Sequence, residues 1–214
     1  RLGLKGSDKV EVAQVNVLDK AIHLAVEDLF SATNFILDNA DQFGVNPSNI
    51  VISGSSAGAI SVMQAEYEIA NATQWASVLP AGFNYAGVMS FSGAILSREG
   101  KVDFKKSPCP TLMLHGTSDE LVPYDQIKVF NLGFFGGGKL VERFKKYGLN
   151  YNMYHFTDYG HEIAGSMDTT LDLQLKFLET NVMQKKMRIV EAWISDPDVF
   201  KGSGPQSRKE LYGN

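Results

Sequence analysis

Apolar residues recur at helical spacing from Val17 to Ala40. Leu18, Ile22, Ala25, Leu29, Ala32, Phe35 and Ile36 mark one face, and Lys20, Glu27 and Asn34 the other, which predicts an amphipathic helix. Phe43-Gly44-Val45 breaks that pattern, and Asn46-Pro47-Ser48 reads as a turn. Ile50-Val51-Ile52 is β-branched, too short for a helix and flanked by turn residues, so it reads as a buried strand. Ala59 to Ala70 then reads as a helix. Three later apolar runs, Ala86–Phe91, Thr111–Leu114 and Tyr151–Phe156, read as strands that end at Ser92-Gly93, His115-Gly116 and near Gly160. Lys139 to Tyr147 reads as a helix, and Thr169 to Trp193 as one long helix or two shorter ones. Residues 202–214 are polar and carry Gly, Pro and Ser, so they read as a frayed tail after a domain spanning residues 1–201.

Strands alternating with helices predict an α/β protein with a mostly parallel sheet and helices on both faces. In such sheets the working residues sit in loops beyond the carboxyl ends of the strands. Composition fits one globular domain, with 44% hydrophobic and 21% charged residues among 214. A net charge of -4 supplies no basic field for nucleic acid or anionic lipid. No run reaches the roughly 18 apolar residues of a membrane span. The single cysteine, Cys109, rules out an intrachain disulfide and reads as a small buried residue between Pro108 and Pro110. No metal-ligand spacing and no phosphate-binding glycine loop is present, so no metal and no cofactor is expected. The chain opens on Arg1 rather than Met, which leaves its compartment open. Asn71-Ala72-Thr73 matches the glycosylation sequon, a common short match.

The chemistry concentrates after the strands. A serine hydroxyl is a poor nucleophile until it is held exposed beside a base. Gly54-Ser55-Ser56-Ala57-Gly58 places Ser56 between two glycines at a strand-to-helix turn, which does the holding. The Ala57 N–H, at the start of the helix, would face a developing oxyanion. Ser55 is the rival serine and lacks the symmetric glycines. His161, in Tyr159-Gly160-His161-Glu162 after the last of these strands, is the candidate base. Asp119, in His115-Gly116-Thr117-Ser118-Asp119-Glu120, is the candidate acid that orients it, with Glu120 and Asp158 as rivals. His23, His115 and His155 read as packed or surface residues, and His115 as a residue that shapes the turn presenting Asp119.

These residues resemble the α/β-hydrolase carboxylesterases. Gly54 to Gly58 resembles their nucleophile elbow, Asp28 through Pro47 the helix and turn before it, and His115 to Asp119 with Val122-Pro123 the acid loop. Gly160-His161 resembles the base loop, and the order Ser, Asp, His is the family's order. The resemblance covers roughly residues 1 to 182, and Arg1-Leu2-Gly3 resembles the end of the family's fourth strand. It implies the C-terminal portion of such a domain, with preceding strands or another chain covering the open sheet edge. It also implies hydrolysis of a small-molecule carboxylic ester through an acyl-enzyme, with no cofactor. A peptidase or thioesterase of the same fold, or a non-catalytic binding domain, are the alternatives. The family's His-Gly-Gly type oxyanion loop has no counterpart upstream of Ser56. Gly136-Gly137-Gly138 falls after Asp119 and reads as a flexible loop, or as a mobile lid with Phe134 and Phe135 lining an acyl or alcohol pocket.

Overall fold

The computed structural model describes residues 12–196. The strand end expected at Arg1-Leu2-Gly3 and the tail expected at 202–214 lie outside the described residues. Helix α1 (Val12–Asp38) buries Ile22, Val26, Phe30 and Thr33. That face is rotated from the one the periodicity marks, since Ala32 and Phe35 are exposed. The large Val26 and Phe30 side chains take the inner positions, and Phe35 instead packs outside against Phe43, the rings tilted by 50° with centres 5.9 Å apart. Helix α2 (Ala40–Phe43) ends on Gly44 at φ 65°, the left-handed turn that stops a helix.

Strand β1 (Val51–Ser55) runs straight into helix α3 (Ala57–Asn71). Strands β2 (Gly87–Phe91), β3 (Ala94–Ser97) and β4 (Thr111–Gly116) follow, then the hairpin β5 (Gln126–Val129) and β6 (Leu132–Gly136). Helix α4 (Gly137–Tyr147), strand β7 (Tyr151–Phe156), helix α5 (Leu171–Phe177) and strand β8 (Val190–Ile194) complete the described chain. The main sheet has the order β1-β2-β4-β7-β8, and every pair in it is parallel. A small antiparallel sheet, β3-β6-β5, stands beside it.

Side chains alternate across a strand, so each strand feeds two cores. Val88, Met113, Tyr151 and Met153 pack under α1, α3 and α4, with Val26, Phe30, Met63, Leu140 and Phe144. Phe91, Leu112, Leu114 and Phe156 pack on the other face against Ile163, Phe177 and Val182. The sheet grows in one direction from β1 to β8 while α3 and α5 lie on opposite faces. The β7-to-β8 crossover therefore has the opposite hand to the β1-to-β2 crossover.

Two expectations are corrected here. The stretch Thr169–Trp193 is not helical throughout: α5 passes into a π-helical segment at Leu178–Met183, and β8 follows. Val190, Ala192 and Ile194 pack into the second core while Glu191 and Trp193 face the first, the period of a strand. The glycine triplet is not a lid. It joins β6 to α4, and Phe135 is buried in the first core rather than lining an open pocket, with the half-buried Phe134 packed against that core. Among the described residues no helix is long and apolar enough to cross a membrane.

Candidate active site

Ser56 sits between β1 and α3 at φ 52° and ψ -117°, a strained conformation for a residue with a Cβ. Its N–H donates to the Phe91 carbonyl at 2.9 Å, and its carbonyl accepts from Ile60 N–H at 3.0 Å. Gly54 makes the tight turn possible, because a Cβ there would lie 2.2 Å from the Gly58 carbonyl oxygen. Gly58 is different: a Cβ on it meets nothing within 4 Å. The requirement for two flanking glycines thus holds at Gly54 alone among the described residues. Ser55 points away, its hydroxyl donating to the Ala164 carbonyl at 2.5 Å and tying the elbow to the 3-10 turn His161–Gly165. Ala57 is exposed at the first position of α3, where a helix leaves its N–H groups without internal partners.

His161 opens that 3-10 turn. Its Nε2 lies 2.8 Å from Ser56 Oγ and its Nδ1 2.8 Å from Asp119 Oδ2. A carboxylate only accepts, so Nδ1 carries the hydrogen and Nε2 accepts from the serine hydroxyl. Asp119 is buried, and its Oδ1 accepts from the Leu121 and Val122 N–H groups at 2.9 and 3.0 Å. Burial pushes its carboxyl up, but hydrogen bonds from His115 and His161 outweigh that and hold it well below the ordinary carboxylate range. The rival acids stand elsewhere. Glu120 is exposed, and Asp158 is exposed on a left-handed turn at φ 62°. Residues 105 and 42 positions apart in sequence are thus brought into one hydrogen-bonded line at the carboxyl ends of β1, β4 and β7.

That line, with the fold that carries it, agrees with the family match over residues 12–182 to the phospholipase/carboxylesterase family. The chain belongs to that family. Its sheet and helices are those of an α/β-hydrolase fold. Among solved structures it is similar to the esterase PE8, at 22% identity and a TM-score of 0.49, over 76% of this chain and 64% of that one. It is also similar to a variant of Arabidopsis thaliana SOBER1, at 18% identity and a TM-score of 0.43, over 73% of this chain and 66% of that one. A truncated carbohydrate esterase from gut microbiota aligns at 16% identity and a TM-score of 0.47, over 72% of this chain and 67% of that one. The chain spans slightly less than two thirds of the first two structures. No curated protein matches it.

Several contacts around this carboxylesterase-family site were not assigned by sequence reasoning, which read His115 only as shaping the turn that presents Asp119. His115 Nε2 lies 3.4 Å from Asp119 Oδ2, and the Tyr124 hydroxyl lies 2.6 Å from His155 Nδ1. Both histidines fall at strand ends, a weak signal that spacing alone could not resolve. Ser92, at φ 56° just beyond β2, follows the Phe91 carbonyl that anchors Ser56. Cys109 is half-buried rather than fully buried, and its thiol is pushed well above its usual range by burial and by the Glu66 carboxyl, which makes it a poor nucleophile. Asn71 is buried and donates to the Tyr67 and Asp103 carbonyls, so the sequon is not presented for glycosylation. Two clefts of about 450 and 470 Å³ share Gly82, Phe83 and Asn84 and lie at the opposite end of the sheet from Ser56.

Proposed function

We propose that this chain carries a serine hydrolase centre that cleaves carboxylic esters through an acyl-enzyme. The observation that carries the reading is the pair of 2.8 Å hydrogen bonds joining Ser56 to His161 and His161 to Asp119. Ser56 Oγ attacks the ester carbonyl as its proton passes to His161 Nε2. Asp119 holds the imidazole in that tautomer and steadies the imidazolium. The Ala57 N–H, helped by the α3 N-terminus, stabilises the oxyanion of the tetrahedral intermediate. His161 returns the proton to the leaving alcohol oxygen, which leaves an acyl group on Ser56. Water then repeats the sequence and releases the acid.

A purely ligand-binding role gives no reason to hold Ser56 at a strained φ of 52° against a base. The test is a fluorophosphonate probe with mass-spectrometric site mapping, paired with turnover of a short activated ester. Labelling should fall on Ser56. Ser56→Ala should abolish it and lower turnover by roughly 10⁴ to 10⁶, while Ser55→Ala does far less. Near-normal turnover in Ser56→Ala would overturn the reading.

A further inference from the structure

We infer that His115 is a positioning residue for Asp119, fixed in one tautomer by the start of helix α4 and donating its ring N–H to the Val122 carbonyl, beside the carboxylate that holds His161. This rests on the reading that Ser56, His161 and Asp119 work together.

The hydrogen bonds around His115 assign its ring. It is 1% exposed at the end of β4. Nδ1 accepts the Gly137 N–H at 3.2 Å, so the ring hydrogen sits on Nε2. Nε2 lies 3.1 Å from the Val122 carbonyl oxygen and 3.4 Å from Asp119 Oδ2. The Val122 N–H itself donates to Asp119 Oδ1. His115, Val122 and Asp119 therefore form a closed ring of contacts, with His161 as the donor on Oδ2.

The glycine triplet makes this arrangement possible. A Cβ on Gly137 would lie 2.9 Å from His115 Nδ1 and 3.0 Å from Met153 Cε. On Gly136 it would lie 1.7 Å from the Pro123 carbonyl oxygen, and on Gly138 2.5 Å from the Tyr124 ring. Gly136 and Gly138 also donate to the Asp125 and Tyr124 carbonyls at 2.7 and 2.9 Å. Bare backbone lets the start of α4 lie flat on the acid loop and aim an N–H at the histidine.

The electrostatic consequence has a definite sign. The Nε2 N–H beside Asp119 Oδ2 lowers its basicity, so it attracts the His161 imidazolium less strongly. Removing that N–H should loosen Asp119 and with it the hold on His161. The other titratable groups nearby are Tyr124, edge-on to His115 at 5.6 Å, and His155 beside it in the register. Glu191 faces His155 at 3.5 Å and pairs with Lys145, and Glu162 follows His161 in the chain. All of these stay in place when only His115 is changed.

Two substitutions separate the roles. His115→Asn leaves an oxygen for the Gly137 N–H but no N–H for the Val122 carbonyl beside Asp119. His115→Gln restores an amide donor near the lost Nε2. We expect His115→Asn to lower kcat about tenfold with little change in KM, as for loss of one hydrogen bond to a charged group. It should also shift the NMR signal of the His161 Nδ1–H proton, which bonds to Asp119 Oδ2 at 2.8 Å. His115→Gln should restore most of both. In the unsubstituted chain, ring ¹⁵N shifts should show His115 unprotonated at Nδ1 and protonated at Nε2, which decides the tautomer even if a variant fails to fold. A protonated Nδ1, or an equal loss in both variants with the His161 Nδ1–H signal unmoved, would overturn the inference. If Ser56→Ala kept its turnover, the proposed function would fail instead, and the ring spectra would still decide His115.

Discussion

Asp119 keeps its charge because two backbone N–H groups and two imidazoles converge on it. Its folded pKa is depressed, so its contribution to stability is present above the ordinary aspartate value of about 4 and lost as pH falls through the lower folded value. Asp119→Asn should therefore flatten the acid limb of stability below about pH 4. It should also lower turnover by about 10⁴, because an amide can donate to Nδ1 and reverse the imidazole tautomer. Asp158→Asn should do little to either, and a crippling effect there would mean that the wrong carboxylate has been assigned. Ser56, Asp119 and His161 were legible in the sequence because each follows a recognisable strand. His115 was legible only as shaping the turn that presents Asp119, since its ring contacts depend on which nitrogen meets Gly137, 22 positions away. Phe135 misled because an aromatic residue before glycines looks the same whether it packs in the core or faces a cleft.

At the scale of elements, the parallel strands β1, β2, β4 and β7 were legible as short apolar runs bounded by turn residues. The hairpin β5–β6 and its partner β3 were not. Exposed Gln126 and Lys128, with only half-buried Ile127, give β5 little apolar contrast to read. Strand β8 was hidden by a continuous apolar period that suits a helix until Lys185 turns left-handed at φ 51°. The elbow gives the sharper test of how tightly elements are joined. Gly54→Ala sets a Cβ 2.2 Å from the Gly58 carbonyl, backbone against backbone. It should destabilise the fold by about 3 kcal/mol or more. Gly58→Ala meets open space in a helix and should be neutral or stabilising by up to about 1 kcal/mol. Urea midpoints of the two variants measure the contrast, and equal losses would mean that the turn is not as drawn.

For the whole molecule, the decisive feature is the rim of the main sheet. Strand β1 is terminal in the order β1-β2-β4-β7-β8, and among the described residues its outer edge has no strand beside it. Ser53 on that strand and Ala57 and Gly58 beyond it are exposed. Edge N–H and C=O groups next to a buried core are a template for another chain. The 214-residue chain made alone should therefore self-associate, growing in apparent mass with concentration on light-scattering chromatography. A monodisperse monomer across that range would show that the edge is closed by means not visible in residues 12–196.

Both tryptophans of the chain lie flat on histidines: Trp75 on His23 at 4.2 Å and 21°, and Trp193 on His155 at 4.1 Å and 17°. A protonated imidazole in face contact takes an electron from excited indole and darkens it. The folded protein should thus lose emission on acidification before it unfolds, each indole reporting its own histidine. Burial holds the His155 pKa below the usual histidine value, with Glu191 opposing it only in part. Light from Trp193, isolated in Trp75→Phe, should persist to lower pH than light quenched by an ordinary histidine. Emission from that variant that is already dimming near pH 7 would contradict the burial of His155, and emission flat down to the point of unfolding would contradict the stacking itself.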